Sequence, residues 1–403
     1  MVTCSRRIAR LISTLAVQFF LVVPPAFPQS AAPPAASTDF VSAINLVLVP
    51  VSVNDAPPAL FLFDTGLEQS LVDAEYAGQL GLRIENPHDE SAPGGTLRVG
   101  KVKRGVISIG GLRATALPLQ TARLEELSAI TGEHIKGIVG YDFIKQFAVR
   151  IDYSRKQLSL WAPGTFAYEG NGITLPIHLK DTEAFVSISI KPRGQAVRTA
   201  TMKLDTGSAD VVGFNNNYVH TYHLIAKNQQ TLSVSGVAMG GDTEGYLFRL
   251  DSCGIGPTMF QNPLVGYTSD SKGFENRADA GTVGGALLSR YTVFLDYSRA
   301  RVIFEPIDPG NHQLPSDEVG AMLRAEGAAL KDILVASVLP TSPAAQAGLR
   351  PGDHIVAIDG KTGMSLNAIW ERFHDSGRMT IALLRSGVPL SVSVTAKSLI
   401  PDQ

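Results

Sequence analysis

Two aspartates stand where apolar strands would be expected to end: Asp64 in FLFDTGLEQSLVD (residues 61–73) and Asp205 in MKLDTGS (residues 202–208). Taking an ionised carboxylate out of water is costly unless something compensates it. The economical explanation is that the two acids face each other. Two carboxylates in contact cannot both ionise readily, so they share one proton. Such a pair can hold a water, take its proton as it attacks a carbonyl carbon, and return a proton to a leaving nitrogen. That chemistry calls for no metal, no cofactor and no covalent intermediate. The flanking residues suit it. Gly66 and Gly207 let backbone amides approach and donate to the carboxylates. Thr65 and Thr206 carry hydroxyls able to bond from one loop to the other. Ser208 is placed to hydrogen-bond Asp205 and favour its charged form, whereas Leu67, its counterpart, cannot do so for Asp64. Asp205 is therefore expected to hold the charge and Asp64 the proton.

The elements that position these acids read as strands. LVLVPVSV, ALFLFDTG, GVISI, LSLW, FVSISI, TATMKLDTG and VIFEP are rich in β-branched and aromatic residues and are punctuated by turn signals. Helical patterns are short. An internal repeat organises the chain: residues 137–161, GIVGYDFIKQFAVRIDYSRKQLSLW, align with 281–306, GTVGGALLSRYTVFLDYSRARVIFEP, on a common DYSR. Asp64 precedes Gly140 by 76 residues and Asp205 precedes Gly284 by 79. The body is thus two copies of one unit, over residues 40–163 and 172–306. Approximate two-fold symmetry would bring equivalent points together at its axis.

FDTG and LDTG, each followed by a later apolar-Gly strand (Ile138-Val139-Gly140 and, after Thr282, Val283-Gly284), resemble the pepsin and retropepsin aspartic proteases. The resemblance covers about residues 40–306. It implies a mainly β, bilobal pepsin-like fold of duplicated retropepsin-like lobes, with the apolar-Gly strand completing each lobe beneath its DTG loop. It also implies an aspartic endopeptidase acting on peptides or unfolded proteins at acidic or mildly acidic pH, with Asp64 and Asp205 catalytic. Two departures stand out. Leu67-Glu68 replaces the usual Ser or Thr after the first DTG. The flap candidate, APGGTLRVGKVKRGVISI, carries no aromatic residue; its second-copy counterpart is VSGVAMGGDTEGYLF, where Tyr246 is expected in the core. These departures motivate the alternative of a non-catalytic peptide-binding scaffold that keeps the fold.

A third unit, residues 317–398, resembles a small α+β PDZ domain of the bacterial pattern through Ser342-Pro343-Ala344-Ala345, Ala347-Gly348-Leu349, Pro351-Gly352-Asp353 and Ile358-Asp359-Gly360. The resemblance implies that a C-terminal peptide adds as a strand and places its carboxylate on loop amides. Gly320-Ala321-Met322-Leu323 is the candidate loop. A purely structural PDZ domain is the competing reading.

The 403 residues exceed one ordinary domain, and 44% apolar against 18% charged residues suits an ordered globular protein. A net charge of -2 gives no general pull toward nucleic acid or an anionic membrane. Residues 1–30 read as an export signal: Arg6, Arg7 and Arg10 precede an apolar run from Leu11 to Val23, shorter than the roughly 20 residues a spanning helix needs. The protein is therefore expected to be periplasmic or secreted, touching a membrane only if the signal stays as an anchor. Residues 31–39 read as a linker. Cys4 lies in the signal, which leaves Cys253, read as a buried hydrophobe. His220 and His223 lack recognised zinc-ligand partners and read as surface histidines. Lys101, Lys103 and Arg104 read as a solvated hairpin.

Overall fold

The computed structural model describes residues 32–92, 94–268, 279–314 and 316–401. The segment read as an export signal lies outside them. The described residues form four sheets and only short helices, so the protein is mainly β.

Two sheets repeat one strand plan. In the first, Ile135–Val139 lies between Ala59–Phe63, to which it is parallel, and Leu71–Asp73, to which it is antiparallel. In the second, Gly281–Val283 lies in the same way between Arg198–Leu204 and Val212–Phe214. A further parallel pairing also recurs, Leu71–Asp73 with Leu112–Ala122 and Val212–Phe214 with Leu264–Thr268. Central strands are covered on both faces, which explains their unbroken apolar runs. Phe61, Phe63, Leu204 and Val283 are fully buried.

A third sheet of six strands joins the two copies. Its middle pair is Ala148–Asp152 beside Tyr291–Asp296, antiparallel with Val149 opposite Leu295 and Ile151 opposite Val293. These are the strands that lead into the two DYSR turns, so the two repeat sequences pair directly with each other. The repeated aspartate is a turn clamp. Asp152 accepts from Ser154 Oγ at 2.7 Å and from the Arg155 N–H at 3.1 Å. Asp296 accepts from Ser298 Oγ at 2.7 Å and pairs with Arg301 at 3.0 Å.

The segment read as a linker is in part a strand. Ala36–Asp39 pairs antiparallel with Gln157–Trp161 at the edge of the joining sheet, and the Trp161 indole N–H donates to the Ala32 carbonyl at 2.8 Å. Composition suggested a loose connector here; a partner strand distant in sequence overrides it.

The fourth sheet belongs to the C-terminal unit, where Ala321–Glu326 pairs with Asp332–Val338 and the Leu366–Phe373 helix covers the core. This unit is docked on both copies. The Glu125–Thr131 helix packs on the Ala321–Glu326 strand, with Glu126 bonded to Arg324 at 3.0 Å. The Ile44 N–H donates to Asn367 Oδ1 at 2.8 Å while the Ile44 side chain packs against the unit's core. From the second copy, Arg249 donates to the Ile400 carbonyl at 2.6 Å and to Ser398 Oγ at 2.8 Å.

Candidate active site

Each aspartate leaves its strand at the same point of the repeated plan. The Asp64 N–H donates to the Val139 carbonyl at 2.9 Å, and the Asp205 N–H donates to the Val283 carbonyl at 3.1 Å. The apolar-Gly strands thus hold the two loops directly, with Ile138 buried between Leu62 and Leu71. The glycines that end them allow close passage of the loop. A Cβ on Gly140 would come 2.8 Å from the Leu67 carbonyl oxygen, and one on Gly284 would come 2.8 Å from Ser208 Oγ.

The loops lock reciprocally. Thr65 Oγ1 donates to the Leu204 carbonyl at 2.7 Å, and Thr206 Oγ1 donates to the Phe63 carbonyl at 2.6 Å. Each threonine hydroxyl also accepts the other's backbone N–H, both at 3.1 Å. All of these groups are buried, so the polar lock is fully satisfied where an unpaired group would be costly.

This lock brings the carboxyl groups of Asp64 and Asp205 into hydrogen-bonding contact. Gly66 N–H donates to Asp64 Oδ1 at 2.7 Å, and Gly207 N–H to Asp205 Oδ1 at 3.0 Å. Each glycine also faces the opposite acid. A Cβ on Gly66 would sit 2.6 Å from Asp205 Cγ, and one on Gly207 would sit 2.6 Å from Asp64 Oδ1. Burial, and then the Asp205 charge, push the Asp64 carboxyl up to about 7 against the opposing pull of Lys203 and the Gly66 amide. Both causes favour the protonated form of Asp64.

The reason differs from the one read in the sequence. Ser208 Oγ accepts from the Asp210 N–H at 3.4 Å, and the bond between Ser208 and Asp205 is backbone to backbone. The group on the Asp205 carboxylate is Lys203, with Nζ 2.9 Å from Oδ2. Sequence reading passed over it, although the signal was present. Side chains two apart on a strand share a face, so a lysine two residues before the acid is well placed to meet it.

The departures from the family pattern have structural explanations. Leu67 packs against the buried cluster that contains Leu62, Leu71 and Ile138, and Glu68 is exposed. The hairpins Glu85–Ala92/Gly95–Ile109 and Leu232–Ala238/Gly241–Arg249 meet at their tips, where a Cβ on Gly94 would lie 2.8 Å from the Gly241 carbonyl carbon. Met239 packs among first-copy side chains at this junction. Tyr246 is not in the core: it is exposed and stacks on Tyr267 at 5.4 Å. Cys253 is buried, its thiol pushed up to about 12 by burial, while His220 and His223 are exposed.

Residues 49–143 match the aspartyl protease family, and residues 334–371 match the PDZ domain. The chain carries an aspartyl protease region and a PDZ domain. The protease match spans Asp64, Gly66 and the Ile138-Val139-Gly140 strand. Serine protease HTRA1 of Xenopus laevis is 35% identical over 65 residues, 16% of this chain and 14% of the relative's length.

In the PDZ domain, the candidate ligand loop is already engaged. The Val319 and Gly320 N–H groups donate to Asp317 Oδ1 at 2.7 and 2.9 Å, and the Gly320 carbonyl accepts from the Leu339 N–H. A side-chain carboxylate of the chain itself thus takes the first amide of the candidate loop. Ala321 and Met322 lead the edge strand on which the protease helix packs, and Leu323 turns into the PDZ core. Asp317 thus occupies the Gly320 amide, and the protease helix lies against the edge strand.

Proposed function

We propose that this chain is a bilobal, pepsin-like aspartic endopeptidase whose lobes, residues 40–163 and 172–306, each contribute one catalytic aspartate. The observation that carries the reading is the contact between the Asp64 and Asp205 carboxyl groups across two loops locked by Thr65 and Thr206. The repeated strand plan around them supports the duplication. A water held between the acids attacks the peptide carbonyl carbon as the Asp205 carboxylate takes its proton. Asp64 supplies its own proton to the carbonyl oxygen, and a proton returns to the leaving nitrogen as the carbon–nitrogen bond breaks. The tip-to-tip hairpins favour extended substrates, such as peptides and unfolded proteins, over folded ones.

Export, with residues 1–30 as its signal and a periplasmic or secreted destination, belongs to the same proposal. For the PDZ unit, residues 317–398, the Asp317-filled loop and the packed edge strand favour a docking role in this arrangement. The deciding experiment incubates the protein with an unfolded substrate across the pH range, with and without a statine-type inhibitor. Cleavage is expected in the wild type, blocked by the inhibitor and absent in Asp64→Ala and Asp205→Ala. Full cleavage by either variant would refute the reading.

A further inference from the structure

The two halves of the dyad are close to symmetric in backbone but not in the residue beneath each acid. Two positions before Asp64 stands Leu62, which is buried and apolar. Two positions before Asp205 stands Lys203, its side chain only 14% exposed. An ammonium this far from water costs several kcal/mol unless it is paired. Its pairing is specific: Nζ lies 2.9 Å from Asp205 Oδ2 and 3.8 Å from Glu183 Oε1. Glu183 reaches it from the neighbouring strand, whose register sets Phe185 opposite Lys203. Burial pulls the lysine's pKa down, but Asp205, Asp64 and Glu183 outweigh it, and it stands above the ordinary lysine value. Its neighbours therefore favour the charged form.

We infer that Lys203 is a positioning residue for the dyad: held by Glu183, its ammonium pins the negative charge on Asp205 and so leaves the shared proton on Asp64. The inference rests on the peptidase reading and deepens it by assigning roles within the pair. Leu62 offers Asp64 no equivalent cation. Lys203 thus decides which acid takes the proton from water and which gives one to the substrate. The other groups around the pair do not compete for that role. Glu183 faces the lysine. Asp210, on the loop after the second DTG, is a further acid within electrostatic reach of Asp205. Tyr297 lies beneath from the joining sheet, its hydroxyl pushed up by burial and then by Tyr141, Asp64 and Asp205, so it stays neutral. Among these groups Lys203 is the cation.

The test is the pH profile of kcat/KM, which a merely structural lysine would leave in place. Without the cation, the singly protonated pair forms only at higher pH. In Lys203→Met the acid limb is expected to move up by about 1–3 pH units, the size of shift an adjacent opposite charge produces. At a fixed pH on that limb this is a loss of about tenfold per unit. Lys203→Arg should keep the wild-type limb. Glu183→Gln frees the lysine for Asp205 and should move the limb the opposite way. A folded Lys203→Met protein with an unmoved profile overturns the inference. If Lys203→Met does not fold, an unmoved limb in Glu183→Gln overturns it instead. Loss of the peptidase reading is separately visible as activity surviving in Asp205→Ala.

Discussion

The backbone N–H of Thr65 donates to Thr206 Oγ1, and the backbone N–H of Thr206 donates to Thr65 Oγ1, both at 3.1 Å. Each half of the site is therefore held by the other. Removing one hydroxyl leaves a buried amide and a carbonyl without partners, at a cost of about 1–3 kcal/mol per orphaned group. Thr65→Val and Thr206→Val should each lower the melting temperature and reduce kcat more than they raise KM. Differential scanning calorimetry and steady-state kinetics check the two effects.

Activity should fall on the alkaline side as pH rises through about 7, where Asp64 loses its proton. The working pair carries one proton, so kcat/KM should drop about tenfold per pH unit beyond that point. This is higher than the acidic or mildly acidic range the family resemblance implies. A pH–rate profile on a peptide substrate whose alkaline limb lay two units lower would contradict it.

The same carboxyl makes stability depend on pH with a definite sign. From the ordinary carboxylate value of 3.8 up to about 7, the folded protein keeps a proton that the unfolded chain has released. Stability therefore falls with rising pH across that window and levels off above it. Asp64→Asn removes the slope: the variant should melt above the wild type at neutral pH, the two converging in acid, while its activity falls about 10²–10⁴-fold. Thermal melts at several pH values, with an activity assay, measure both.

Gly66 tolerates no side chain, because a Cβ there would lie 2.6 Å from Asp205 Cγ. Gly66→Ala should push the carboxyl groups apart and abolish cleavage while leaving the far-UV circular dichroism unchanged. Gly111→Ala is a control distant from the dyad, with open space at its Cβ but a φ of 87°; it should cost some stability and spare activity.

The PDZ loop predicts weak capture of free peptides. With Val319 and Gly320 N–H groups spent on Asp317 Oδ1, C-terminal peptides are expected to bind the full chain with Kd above about 1 mM, under 4.1 kcal/mol of binding energy. Asp317→Ala should strengthen binding, and with Glu126→Lys, which breaks the contact to Arg324, more so. Isothermal titration calorimetry reads both. Tight binding by the wild type would contradict the filled-loop view.

What the amino-acid order determined by itself was local and repeated. Asp-Thr-Gly needs glycine for close approach, DYSR builds a turn around its own aspartate, and the matched spacing to Gly140 and Gly284 sets out the repeated strand plan. Lys203 was legible in principle, through strand period, but its meaning depended on Glu183 and Asp64, which only the fold delivers to it. Ala36–Asp39 has a connector's composition and became a strand because Gln157–Trp161 supplied the hydrogen bonds. The meeting of Gly94 with Gly241 and the seating of Ile44 on the PDZ core were decided by tertiary structure. The reason is physical: turn and strand preferences act over a few residues, whereas charge pairing and close packing depend on which distant surfaces the folded chain brings into contact.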